Sequence, residues 1–203
     1  MASSSSPPMS AVPFTRVVID DHFWSPRQET NRNVTIPYVQ SMSEKTGRFE
    51  SFKLTQAALE GGWRFGMPTP PIYWDSDVAK WIEAASYTLM KRRNKALERK
   101  IDKSVEMMAE IQQQDGYLCA HYSMREQEQH WTVAQYSELY CAGHWIEAAV
   151  AYEQATGKSE LLDIVRRLVA HIEDVFRGGR GKKRGYSGHP EIELALVKLA
   201  RHT

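Results

Sequence analysis

One stretch limits what this chain can fold into more than any other. From about Val133 to Thr156 the run SELYCAGHWIEAAVAY is apolar nearly all round when wound as an α-helix. A helix of that kind is buried on more than one side, so other elements must cover it. Gly157 stops it, since glycine readily takes the left-handed conformation that closes a helix. The neighbours are also helical. From Asp75, the residues Val78, Trp81, Ile82, Ala85 and Leu89 keep the three-four spacing of one helix face, with Asp75 or Ser76 placed to cap it. Leu97, Ile101, Val105, Met108 and Ile111 form the next stripe, which is expected to end near Asp115-Gly116. Ser159 is the expected cap of a helix carrying Leu161, Leu162, Val165, Leu168, Val169, Ile172 and Phe176. A last helix begins at His189-Pro190-Glu191, with proline at its favoured first position, and continues through Ile192, Ala195, Leu196 and Leu199. Extended structure is signalled only by Val17-Val18-Ile19. The pattern predicts an all-α array of helical hairpins, for which a toroid is one solution. Ala200 to Thr203 bring no closing helix or Gly/Pro stop, so the array reads as cut short.

Size and charge narrow the function classes. With 203 residues, 42% of them apolar, the chain can bury a core of its own. It reads as one domain over 14–203 behind a disordered tail over 1–13. The net charge of +1 gives no overall attraction to nucleic acid or to an anionic membrane. The local exception, RGGRGKKR from Arg177 to Arg184, mixes three glycines with five cations and reads as a solvated loop. MASSSSPPMS lacks the basic and apolar regions of a signal peptide, and no apolar run is long enough for a membrane span. Two cysteines, Cys119 and Cys141, lie in packed segments rather than in a disulfide framework, which fits a reducing, cytoplasmic setting.

Several residues could carry chemistry. The His189 imidazole sits at a loop-to-helix junction, where it either hydrogen-bonds a ligand hydroxyl or merely caps the helix. Glu138 is a carboxylate in a mostly apolar helix and therefore needs a partner, either structural or a ligand. Asp75 and Asp77 are two apart and point to different sides of a helix, so they do not form a catalytic pair. Cys141 with His144 and Cys119 with His121 could be gathered into a zinc site, but thiols in apolar helices read as small core residues. No metal ligands are therefore assigned. Trp81 and Trp145 lie in helical stripes and read as core, whereas Trp63 and Trp74, flanked by Gly and Pro, are the better sugar-stacking candidates among the tryptophans, which also include Trp24 and Trp131.

Six segments occur together in order: VVIDDHFWSPRQETNRNVTIPY, TGRFESF, YWDSDVAKWIEAASY, QQQDGYL, SELYCAGHWIEAAVAYEQATGK and GYSGHPEIELALVKL. In that order they resemble glycoside hydrolase family 127, the beta-L-arabinofuranosidase type, over nearly everything from Val17 onward. The resemblance implies part of an (α/α)6 barrel and a glycoside hydrolase acting at the non-reducing end. It implies a zinc-bound cysteine nucleophile, a glutamate acid/base, and further cysteine and glutamate ligands to zinc. None of these has a counterpart here, because the tandem cysteines cannot be built from Cys119 and Cys141. This chain alone is expected to be inactive and without cofactor, with zinc confined to full-length members. The resemblance assigns sugar contact to His189 and to the place of Ser137, where the family usually reads histidine, and makes His144 a packed histidine; Glu138, beside Ser137, is carried with them as a candidate contact whose partner is either structural or the sugar. Ala79 stands where the family usually has tyrosine. A carbohydrate is the expected ligand, with no nucleic acid and no membrane, and uncovered helix faces offer a route to oligomers. The alternative is a noncatalytic helical module for carbohydrate binding or protein interaction.

Overall fold

The computed structural model describes residues 12–62, 64, 66–124, 130–132 and 137–203. Along them run α1 (Trp24–Thr30), α2 (Ile36–Lys45), α3 (Glu50–Gly61), α4 (Trp74–Lys91), α5 (Lys95–Ile111), α6 (Ala120–Met124), α7 (Glu138–Thr156), α8 (Glu160–Phe176) and α9 (Glu191–His202). A wide helical turn, Asn31–Thr35, joins α1 to α2. No strand occurs among the described residues. Val17 to Ile19 are exposed and pair with nothing as a sheet, so the extended signal there forms only a lead-in to α1.

Side-chain contacts fix how the long helices run. The Lys80 ammonium donates to the Tyr140 hydroxyl, Glu83 and Glu147 both meet Lys198, and Gln154 meets His202. Residue numbers rise together along all three helices, so α4, α7 and α9 are parallel and their N-termini share one rim. Between them, α5 and α8 follow short turns at 92–94 and 157–159 and return antiparallel. The Gln112 side-chain amide donates to the Ile164 carbonyl at 2.8 Å, fastening the end of α5 to α8. Parallel inner helices alternating with returning outer ones are the arrangement of part of an (α/α) barrel.

The apolar sequence of α7 has its expected consequence. Ala142, Trp145, Ile146, Ala148, Ala149, Val150, Ala151 and Tyr152 are each no more than 2% exposed, because neighbours close on the helix from several sides. Small residues set how near they come. A Cβ on Gly143 would stand 3.0 Å from the Glu191 carbonyl carbon and from the Ile192 nitrogen, so only glycine lets α9 pass at this distance. Lys198 then ties the layer together: burial works against its charge, but bonds to Glu147 and Tyr87 and the field of Glu83 outweigh this and hold its pKa above the usual range.

Several boundaries differ from the sequence expectation. α7 starts at Glu138, and of the expected extension residues 133–136 lie outside those described, as do residues 1–11 of the expected tail. α5 ends at Ile111, where Gln112 turns extended, rather than near Gly116. Gly116 does take the left-handed conformation (φ +91°), but in the turn beyond, where a Cβ would lie 2.4 Å from the Arg167 carbonyl oxygen. Asp75 does not cap α4: it lies inside the first turn and accepts the Ala120 backbone N–H at 2.9 Å. The Ser159 hydroxyl turns to the Asp163 carboxylate at 3.1 Å instead of accepting a backbone N–H. Pro190 precedes the first residue of α9.

Candidate functional site

Glu138 is the first residue of α7, where a carboxylate lies in the favourable field of the helix N-terminus. It is buried and held from two directions. The Tyr117 hydroxyl donates to one carboxylate oxygen at 2.6 Å, and the Trp131 backbone N–H donates to the other at 2.8 Å. Burial pushes its pKa upward, while these two bonds and the Lys183 charge oppose the shift. Trp131 presents its N–H from a left-handed backbone conformation (φ 59°).

An aromatic cage fixes the two donors. Tyr117 stacks on His130 at 3.7 Å and meets Trp131 edge-on at 5.4 Å. The Trp131 indole N–H donates to His171 Nε2 at 3.1 Å, which places that ring's proton on Nδ1, 3.1 Å from the Asp115 carbonyl. Glu138 and Trp131 open onto a cleft of about 210 Å³, bordered also by Thr132, Leu139, Phe176 and the segment of Arg184, Gly185 and Tyr186.

A second polar group lies further along the same rim. Tyr140 and His144 on α7 meet Lys80 of α4 and the start of α9: the His189 ring is 4.9 Å from Tyr140, and His144 Nδ1 is 3.4 Å from a Glu191 carboxylate oxygen. Burial and the Lys80 charge push His144 down to about 4, so it is neutral near pH 7 and its contact with Glu191 is not an ion pair.

The residues singled out from sequence are thus only partly gathered. Glu138 lines the cavity. Ser137 directly precedes it in a left-handed conformation (φ 61°), and its hydroxyl makes no capping bond. His189 is exposed and stands on the Tyr140 side, with its backbone N–H donating to the Ser187 hydroxyl at 3.2 Å. Neither Ser137 nor His189 lines the cavity that holds Glu138. Trp74 is covered by the Arg48 guanidinium, 5.1 Å from its ring, while Arg48 also pairs with Asp77 at 2.7 Å. Trp63 lies outside the described residues. Trp131 is the tryptophan that lines the cavity, whereas Trp81 and Trp145 are core.

Tyr117, His130 and His171 escaped the sequence reading. Gly116 gave a hint, since the turn it closes delivers Tyr117, but no periodicity ties that turn to Glu138. Cys119 and Cys141 are buried, and burial pushes both thiols well up, towards the protonated and unreactive form. Cys141 Sγ contacts the Ile72 carbonyl at 3.6 Å. Among the described residues no three His, Cys, Asp or Glu side chains converge to hold a metal ion, so this set of donors does not fit the zinc centre implied by the resemblance. No helix there is long and apolar enough to cross a membrane.

Comparison with known proteins bears on this geometry. Residues 16–203 match the family described as the beta-L-arabinofuranosidase GH127 catalytic domain. A curated non-reducing end beta-L-arabinofuranosidase of Bifidobacterium longum is 39% identical over 137 residues, covering 65% of this chain and 21% of the relative. The crystal structure of a GH127 beta-L-arabinofuranosidase from Geobacillus stearothermophilus superposes with a TM-score of 0.83 at 39% identity, over 92% of this chain and 30% of that one. Another solved GH127 beta-arabinofuranosidase gives a TM-score of 0.87 at 36% identity, over 95% and 31%. The chain therefore spans between a fifth and a third of the length of these relatives.

Proposed function

From the premise that the chain belongs to the GH127 beta-L-arabinofuranosidase catalytic-domain family, we propose that it builds part of the sugar-binding wall of such a barrel and lacks the bond-breaking groups. The observation that carries this reading is Glu138, held by Tyr117 and Trp131 at the mouth of a cavity. Each carboxylate oxygen already accepts one donor and keeps a lone-pair direction for a sugar hydroxyl. The cage fixes the rotamer beforehand, so little ordering is lost on binding. Trp131 lines the cavity and would supply the ring face that covers a sugar's C–H side. Ser137 and His189 would add hydroxyl contacts along the rim. Supplied by the remainder of a full-length relative, zinc would activate a cysteine nucleophile, but no step of that chemistry runs through Cys119 or Cys141. Two unpaired thiols support residence in a reducing, cytoplasmic compartment.

The test has two arms on the purified chain. It should not hydrolyse an aryl beta-L-arabinofuranoside, with or without added zinc; turnover abolished by chelation and restored by metal would defeat the reading. L-arabinose should perturb the Trp131 indole resonance, and Glu138→Gln should weaken that binding by roughly tenfold, the scale of one hydrogen bond to a charged group. Unchanged binding would remove Glu138 from the site.

A noncatalytic module is the second reading, favoured by the short Ser137 side chain at a place where the family usually has histidine. The two readings separate on Ser137→His in a longer protein that carries the zinc cysteines. A gain of about threefold to tenfold in kcat/KM is expected if a sugar hydroxyl lacks its partner. No gain favours the module.

A further inference from the structure

The far end of α4, some 27 Å from the rim at about 1.5 Å per residue, borders a second cavity. It measures about 590 Å³ and lies between the Asn31–Thr35 turn, α2 and the start of α5. Arg32, Arg92, Arg93 and Lys100 line it together with the amides of Asn33 and Asn94, and no acidic residue does. We propose that this groove binds an anionic sugar, with the arginines taking a carboxylate or phosphate and the amides taking hydroxyls.

Charge is concentrated here against the trend of the chain. Residues 91–103 carry seven cations and two acids in a protein whose net charge is +1. Arg92 and Arg93 are exposed, and their side chains make no ion pair among the described residues. Lys100 donates to the neutral Gln40 amide at 2.7 Å, so its charge is not cancelled there. Arg32 pairs with Glu29 through one terminal nitrogen, yet its Nε is buried without a partner. A guanidinium presents its donors in a planar fork that matches the oxygens of a carboxylate or phosphate. The positive end of α5 adds to the field, although Asn94 already occupies the Ala96 and Leu97 N–H groups.

The lining also selects the kind of anion. No aromatic ring faces the groove, so it has no platform for stacking nucleobases. The volume falls within the roughly 300–1,000 Å³ of small-molecule sites, and a bare phosphate would leave idle the open ends of the two amides, the Asn94 nitrogen and the Asn33 oxygen, whose other ends cap α5 and donate to Glu29 at 3.1 Å. The inference does not rest on the proposed function of the rim.

Calorimetric titration of the whole chain at low salt tests it with trigalacturonic acid and glucose 6-phosphate as probes, and maltotriose, inorganic phosphate and a short RNA for comparison. One or both anionic sugars should bind, with the responding probe identifying the oxyanion, and neutral maltotriose should not. Replacing the exposed pair together (R92S with R93S) should weaken binding about tenfold for each arginine lost, the scale of a charge-assisted hydrogen bond. Circular dichroism should show an unchanged fold. The proposal is overturned if neither anionic sugar binds, if maltotriose binds as tightly, if the double variant binds as tightly as the parent, if inorganic phosphate equals the sugars, or if RNA binds more tightly than either.

Discussion

Trp145 and Trp24 are the same residue type on helices of the same chain, yet Trp145 is 0% exposed and Trp24 is 57% exposed. Trp145 sits midway along α7, with α4, α8 and α9 packed around its helix. Trp24 opens α1, whose order comes from local contacts. Asp21 accepts the Phe23 backbone N–H at 2.7 Å and that of Trp24, and Arg27 lies 3.6 Å from the centre of the Phe23 ring. Apolarity is therefore not what buries a tryptophan; the arrival of other elements on its remaining sides is. The α1–α2 arm keeps Phe23, Val34 and Tyr38 more than half exposed, whereas α7 exposes almost nothing. One region spends its apolar surface on the fold, and the other keeps it available.

The contrast can be tested most severely at Trp145. Trp145→Ala should cost about 3–5 kcal/mol, the range for emptying a large aromatic from a closed core. Urea unfolding would read the loss as a lower midpoint, and a cost under about 1 kcal/mol would mean that the layer around α7 collapses freely.

Asp75, a buried acid in the same layer, sharpens the comparison through pH. Burial raises its carboxyl to about 6, against the pull of the Ala120 N–H. An unfolded aspartate ionises near about 3.9. Between these values the unfolded chain releases a proton that the folded one retains. Stability from this group is therefore complete below about pH 4, falls by about 3 kcal/mol as pH rises through 6, and is level above. Asp75→Asn should remove that decline while leaving an amide oxygen for Ala120, as read from the difference between the two proteins' stability curves. Parallel curves from pH 4 to 7 would show that Asp75 ionises as if solvated.

The smallest effect belongs to the arm. Trp24→Ala should change stability by less than about 0.5 kcal/mol but lower the binding of a hydrophobic dye. A large loss of stability would show that α1 is tied into the core after all.

The same contrast explains what was legible in the sequence. The stripes of α4, α5, α8 and α9 were readable because periodicity belongs to one helix at a time, and the all-round apolarity of α7 announced its central place. Asp75 looked like a cap because its true partner, Ala120, is 45 residues away, and no local pattern encodes such a bond. Glu138 could be recognised as needing a partner. The partners themselves, Tyr117 and the Trp131 N–H, come from separate loops that only the packed fold brings together. His189 was legible as a junction residue, but its separation from the Glu138 cavity depends on how α7 and α9 lie side by side.

The left-handed backbone at Trp131, which lines the cavity, and at Ser137, which directly precedes Glu138, also restricts the substitutions that each place can accept. A branched Cβ crowds the backbone at positive φ, so valine or isoleucine at either place would carry a conformational penalty before touching any ligand. Glycine and asparagine meet little such resistance. The spectrum of neutral change there is therefore narrower than exposure alone would suggest, and it is filtered by torsion angle rather than by volume. Neutral change at position 137 would pass most readily through small or amide side chains.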